Sequence, residues 1–144
     1  MCLGDARPGA RVRLIVAREI DTARVLCTLA DIPVGATREF RIGAGDWPLR
    51  GFLVRTRDAL HAYVNRCPHA GHALNLRPHR FLTADGSLIV CTSHGALFEK
   101  ATGFCVAGPC AGRALTTIPV EVDAGLVLLA ADVDPASFEN VEAL

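Results

Sequence analysis

Apolar and polar residues alternate along this chain in short runs and make no helical stripe. The runs are RVRLIVA (11–17), RVLCTLA (24–30), TREFRI (37–42), RGFLVR (50–55), LHAYVN (60–65), SLIVC (87–91), TTIPVEV (116–122) and LVLLA (126–130). Most are rich in valine, isoleucine, threonine or aromatics, residues that suit a pleated, half-buried surface. Turn-forming clusters punctuate them at Pro33–Gly35, Gly43–Asp46, Arg57–Asp58, Asp85–Gly86 and Asp123–Gly125. Short runs at this spacing predict an all-β chain, an antiparallel sandwich or small barrel. The best helical candidate is short, Ala136–Ala143 after Pro135.

Composition narrows the class. A chain of 144 residues, 51% hydrophobic, suits one domain with a core that needs no covalent staples. Its net charge of zero and lack of like-charge blocks point away from nucleic acid and anionic lipid. No apolar run approaches the ~20 residues that span a bilayer, so no membrane partner is expected. The start, MCLGDARPGARVRLIVAREI, has only a short apolar stretch at Leu14–Ala17 and is interrupted by acids, unlike a signal peptide. The expectation is a cytoplasmic chain, in which the six cysteines read as metal ligands or buried thiols before disulfides.

Two segments carry the chemistry, NRCPHAGHALN (65–75) and CTSHGALF (91–98). They give Cys67-x-His69, an interval of twenty-one residues, then Cys91-x-x-His94. Two thiolates and two imidazoles suit zinc, or an iron–sulfur cluster with mixed ligands. Structural zinc sites usually group a cysteine pair first and a histidine pair later. Here each loop offers one of each, and the Cys67–His69 spacing is tight for a zinc knuckle.

CPHAGHAL, CTSHGALFEKATG and GPCAG together resemble the Rieske [2Fe-2S] family, over roughly residues 24–130. The resemblance implies one [2Fe-2S] cluster per chain, with Cys67 and Cys91 on one iron and His69 and His94 on the other. It implies a Rieske-like antiparallel β-sandwich with a smaller cluster-binding subdomain. Residues 66–73 and 91–98 would be the ligand loops, and 105–112 a third, proline-containing loop over the cluster. The chain then divides into an N-terminal extension (1–22), the Rieske domain (23–133, cluster-binding loops within 65–112) and a C-terminal tail (134–144). The interval between the ligand pairs is longer than soluble Rieske ferredoxins usually have. The excess falls in Arg77–Leu88, which reads as a longer hairpin near Asp85–Gly86. High-potential members have a disulfide where this chain has His72 and Ser93, and serine and tyrosine hydroxyls where it has Ala96 and Phe98. The resemblance therefore implies a low-potential centre.

Other residues read more plainly. Cys105 and Cys110 flank Gly108–Pro109 and stand close enough in sequence to bridge, but a reducing compartment favours two thiols. Cys27 reads as core and Cys2 as a terminal thiol. His61 and His79 read as surface or strand residues, Trp47 as packing, and Glu99–Lys100 as a solvated turn. No serine–histidine–acid set, carboxylate pair or phosphate-binding glycine loop stands out. Beyond the proposed ligands only His61, His72 and His79 remain, too few in the right place for a mononuclear iron site. The expectation is not an enzyme. It is a soluble one-electron carrier between a reductase and a terminal oxygenase or related redox protein. The alternatives are the small subunit of a nitrite reductase-like complex, or a non-redox metal-binding interaction module. Partner contact is expected at residues 68–73 and 92–97, with Pro109 at the rim and Ala70 and Ala96 forming an apolar patch.

Overall fold

The computed structural model describes residues 22–43, 48–68, 72–93 and 95–138. The strands are β1 (Val25–Thr28), β2 (Thr37–Ile42), β3 (Leu49–Arg55), β4 (Leu60–Val64), β5 (Ile89–Val90), β6 (Leu97–Phe98), β7 (Cys105–Ala107), β8 (Val120–Asp123) and β9 (Leu126–Leu129). They form three antiparallel sheets, ordered β1-β9-β8, β2-β3-β4 and β5-β6-β7. The all-β expectation holds.

The sheet β2-β3-β4 is the common wall of two cores. Successive side chains of a strand point to opposite faces, and in β3 both faces are covered. Phe52 and Val54 enter one core with Phe81, Ile89, Cys91 and Phe98. Leu49 and Leu53 enter the other with Ile32, Val127 and Leu129. β4 splits in the same way, Tyr63 to the first core and Ala62 and Val64 to the second. The first core lies under the small sheet β5-β6-β7, so this sheet and its loops form the smaller subdomain. Phe52 stacks on Phe81 with ring centroids 4.1 Å apart and planes 7° from parallel. The Tyr63 hydroxyl donates to the Lys100 carbonyl at 2.8 Å, and the Lys100 ammonium donates to the Gly86 carbonyl at 2.8 Å. Lys100 is therefore an anchor of the Asp85–Gly86 hairpin, where the sequence suggested a solvated turn.

Most strands lie where the alternation places them, and the departures have local causes. β1 stops at Thr28 because Leu29–Asp31 turn into a 3-10 helix, with the Asp31 carboxylate accepting the Thr28 amide at 3.1 Å. The run 116–122 is divided: the Thr116 carbonyl and Ile118 amide bond to Val64 and Ala62 of β4, and β8 begins only after Pro119. β6 and β7 have two and three residues, too short for any alternation to reveal. The tail forms a 3-10 turn at Pro135–Phe138, tighter than the expected helix, whose remainder lies outside the described residues. So do the expected strand 11–17, nearly all of the extension 1–22, and Trp47.

Burial pushes the Tyr63 phenol up to about 12. Between the unfolded phenol's pKa of ~10 and this value, the unfolded chain ionises while the folded one stays neutral, so stability falls as pH rises. The Tyr63→Phe variant removes the bond to Lys100 and lowers stability at neutral pH by about 1 kcal/mol. It also flattens the alkaline loss, which urea unfolding at neutral pH and near pH ~11 measures.

Candidate metal centre

The first candidate ligand loop leaves β4 at Asn65, the one buried polar side chain among the described residues. Its carboxamide oxygen accepts the Leu74 amide at 2.8 Å, and its nitrogen donates to the Asn75 oxygen at 3.0 Å. Asn75 donates in turn to the Glu39 carboxylate at 3.1 Å and to the Arg77 carbonyl at 2.9 Å. These bonds close the base of the loop on the edge strand β2. Within the loop the Cys67 amide donates to the His72 carbonyl at 2.7 Å.

The second loop is a tight turn after β5. The Gly95 amide donates to the Cys91 carbonyl at 2.8 Å, and the Cys91 amide to the Ala96 carbonyl at 2.9 Å. Thr92 ties the two loops together, its amide and hydroxyl both donating to the Leu74 carbonyl, at 2.9 and 2.8 Å. The third loop turns at Gly108, whose φ is +99°. A Cβ there would stand 2.7 Å from the Ala96 Cα, so only glycine lets this loop lie against the second. Arg113 donates to the Pro68 carbonyl at 3.0 Å and joins the third loop to the first.

Cys67 and Cys91 are both 0% exposed and belong to the same apolar core. His69 and His94 lie outside the described residues, as do Ala70 and Gly71. Around them the chain is at the surface: His72, Ser93, Gly95 and Pro109 are exposed. Ala96 is not. It is 0% exposed beneath Gly108, so its expected place in an apolar docking patch is corrected. Phe98 is buried in the core below.

The described donors fit a cluster shared between two loops: one buried thiol from each, with a histidine two or three residues on. Among the described residues no group of three or more cysteine, histidine or acidic side chains is placed to hold a metal ion. Cys105 and Cys110 therefore do not complete an all-thiol site with Cys67 and Cys91. They are reduced, and the Cys110 thiol donates to the Cys105 sulfur at 3.2 Å. Cys105 donates to the Ala107 carbonyl at 3.2 Å. Burial first, then the neighbouring Cys105 and Cys67 sulfurs, push the Cys110 thiol above the ordinary range. Cys27 is half-buried in β1 against the second core, as expected of a packing residue.

Asn65, Asn75, Glu39 and Arg113 escaped the sequence reading. Their only cue was an asparagine placed just before the first ligand motif. His79 was read as a surface or strand residue. It is exposed, but with φ +63° its Nδ1 accepts the Glu39 amide at 3.1 Å and its carbonyl accepts the Thr37 hydroxyl at 2.7 Å. The extra segment that it opens does form a hairpin, with a bridge from Leu82 to Ile89. The Asp85 carboxylate organises its turn by accepting the Thr83 hydroxyl and the Ser87 amide and hydroxyl, which hold it down to about 2.

Gly108→Ala should break the contact between the second and third loops. It places a side chain in a conformation that costs ~1–2 kcal/mol and forces Ala96 away. The expected outcome is a lower melting temperature and a loss of bound iron. The Gly112→Ala variant is the control: its φ is also positive, but its Cβ would meet open space, so it should lose stability without losing iron.

No curated protein matches the chain. Solved structures do. The ferredoxin of carbazole 1,9a-dioxygenase from Nocardioides aromaticivorans IC177 is 26% identical, with a TM-score of 0.58 over 74% of this chain and 94% of its own. A complex of reduced oxygenase and oxidised ferredoxin in carbazole 1,9a-dioxygenase contains a chain 27% identical, with a TM-score of 0.57 over 76% of this chain and 94% of that one. A protein described as an NADPH nitrite reductase small subunit shares the fold at 20% identity, with a TM-score of 0.55 over 74% of this chain and 96% of its own. The model of the Rieske [2Fe-2S] domain matches residues 22–122, most of the sequence. With that match, and with two buried cysteines on loops braced against each other, the chain belongs to the Rieske [2Fe-2S] domain family.

Proposed function

We propose that this chain is a one-electron carrier, not an enzyme, and that it holds its cluster on Cys67, His69, Cys91 and His94. Its electrons come from a reductase and go to a terminal oxygenase or related redox protein. The observation that carries this reading is the pair of fully buried thiols, Cys67 and Cys91, on loops tied to each other through Thr92 and Leu74. When bound, the cluster takes up and returns one electron. The chain keeps the cysteine side dry and fixes both loops. His72, Ser93 and Gly95, beside the proposed histidine ligands, are exposed, so the histidine side of the cluster would be the exit toward a partner. Docking then centres on the exposed His72, Ser93, Gly95 and Pro109. A small surface of this kind suits a weak, transient encounter.

The carbazole dioxygenase ferredoxins supply the partner class. Both exceed a quarter identity and are matched over nearly their whole length, and one is in a complex with its oxygenase. Among the described residues no helix is long and apolar enough to cross a membrane.

Freshly isolated protein should contain two irons and two acid-labile sulfides per chain, as a [2Fe-2S] centre requires. Alanine at any of Cys67, His69, Cys91 or His94 should abolish both. Stoichiometric zinc without sulfide would overturn the reading.

Ala96 and Phe98 lack side-chain donors. A hydrogen bond to a charged acceptor is worth ~1.5–3 kcal/mol at most, and ~1.4 kcal/mol is 59 mV for one electron. The midpoint should lie toward the low end of the Rieske range of about −150 to +300 mV. Ala96→Ser and Phe98→Tyr should each raise it by tens of millivolts in voltammetry, with a ceiling of ~130 mV. A wild-type value well above about +100 mV would contradict the low-potential assignment.

A further inference from the structure

We propose that Arg41, Arg50, Arg77 and Arg80, around Leu76, form a docking flank for a redox protein with an acidic face, a role that rests on the carrier reading above. Arg41 and Arg50 are Cα partners across β2 and β3. Arg50 stands two residues before Phe52, so both arginines lie on the face of the wall that carries the first core. They sit at the end from which the first candidate ligand loop departs, where the Arg50 carbonyl accepts the Asn65 amide at 2.9 Å. Asn75 bonds to Asn65 and to the Glu39 carboxylate, and so brings Leu76 and Arg77 to the same flank. The His79 ring, on the Glu39 amide, brings Arg80. All four arginines are exposed. Among the described residues none of their guanidinium groups has a hydrogen bond or an ion pair.

Like charges directly opposite each other in a sheet are destabilising, so the Arg41–Arg50 pair gives the isolated chain nothing. The acid beside it on β2, Glu39, is half-buried, and its carboxylate is taken by Asn75. Asp46, the one acid between β2 and β3, lies outside the described residues and is a single charge against four. Much of the balance lies across the wall. Glu121, Asp123, Asp132 and Asp134 belong to residues 116–138, a stretch without lysine or arginine that packs on the second core. A net charge of zero therefore conceals a basic flank beside the loop end. Leu76 decides what covers it. It is 80% exposed, more than any other large apolar side chain among the described residues. A small anion or a phosphate backbone gains nothing from it, whereas a protein surface pairs an apolar anchor with a charged rim rich in arginine. Contact is through side chains, because His79 already engages the β2 backbone beside them. Complementary charge on the partner speeds the encounter and turns the loop end toward it.

The test follows electron transfer from a reduced, acidic plant-type [2Fe-2S] ferredoxin to the oxidised, cluster-loaded full chain in a stopped-flow spectrometer. Such a donor lies at about −400 mV, below the Rieske range, so one electron passes from it to this chain. The wild-type rate should fall ~tenfold or more between ~10 mM and ~0.3 M salt, as screening removes the steering. Arg77→Glu and Arg80→Glu should each slow transfer ~threefold or more at low salt and flatten the salt dependence, with iron and sulfide retained. Leu76→Ser should slow transfer and leave the salt dependence as it is. Arg57→Glu is the control: it makes the same change of net charge in the exposed turn at the opposite end of β3, and should slow transfer less than ~1.5-fold. Retention of each chain on the immobilised ferredoxin at low salt should follow the same order, whether or not the cluster is loaded. Loaded Arg77 and Arg80 variants as fast and as well retained as the wild type would overturn the proposal. So would equal slowing by Arg57→Glu, which would mark net charge alone. Binding of heparin or a short DNA duplex that these variants lose, with the ferredoxin indifferent to them, would assign the flank to a polyanion and overturn it as well. Absence of iron and sulfide in the wild type would be a different failure, that of the carrier reading, and the retention order would still decide the flank.

Discussion

Everything at the cluster end depends on a sheet that is buried on both faces. β3 offers water almost nothing: Phe52, Leu53 and Val54 are each at most 1% exposed. The crowding is visible at Gly51, where a Cβ would stand 2.5 Å from the Phe40 ring and 2.9 Å from the Tyr63 carbonyl. A two-sided wall must satisfy two packings at once, so a shift that suits one core disturbs the other. The wall is accordingly a fixed reference. Phe52 and Tyr63 carry that rigidity to Phe81, and Phe98 and Ile89 carry it to the strands from which Cys91 and the third loop depart.

A redox centre benefits from such mounting. An electron carrier works best when its geometry changes little between oxidation states, and here each loop is tied to another by backbone or side-chain bonds. Thr92 joins the second loop to Leu74, Arg113 joins the third to Pro68, and Gly108 seats the third on Ala96. The amides of Cys67 and Cys91 are used within their own loops, on His72 and Ala96. High-potential members brace these loops with a disulfide. This chain does it with hydrogen bonds and one glycine contact, and so needs no oxidising compartment for that brace.

The larger strands were legible because alternation and β-branched composition report burial directly. TREFRI became β2 over the same residues, and LHAYVN became β4 bar its last residue, Asn65, which turns out to hold the loop. The family was legible in the cysteine and histidine spacings because metal ligation tolerates few arrangements. What stayed hidden was everything that depends on two distant segments meeting. Nothing in a single chain pairs Arg113 with Pro68, or puts Ala96 beneath Gly108 and out of the docking face. The β6 and β7 strands were hidden for another reason: with two and three residues they exist only through their partners. The sulfur contact of Cys110 with Cys105 was half legible, as a spacing that permits closeness, but its direction required the third loop's fold.

The segment 77–88 has a consequence beyond its length. β2 is the outer strand of its sheet, and an uncovered outer strand presents amides and carbonyls that another polypeptide can extend. His79 occupies one of those amides with its ring, and its carbonyl takes the Thr37 hydroxyl beside it. The carboxamide of Asn75 holds the Glu39 side chain on the same flank. The added residues thus act as a stopper against strand-by-strand growth. A one-electron carrier is thereby left with its loop end, and not this sheet edge, as the adhesive part of its surface.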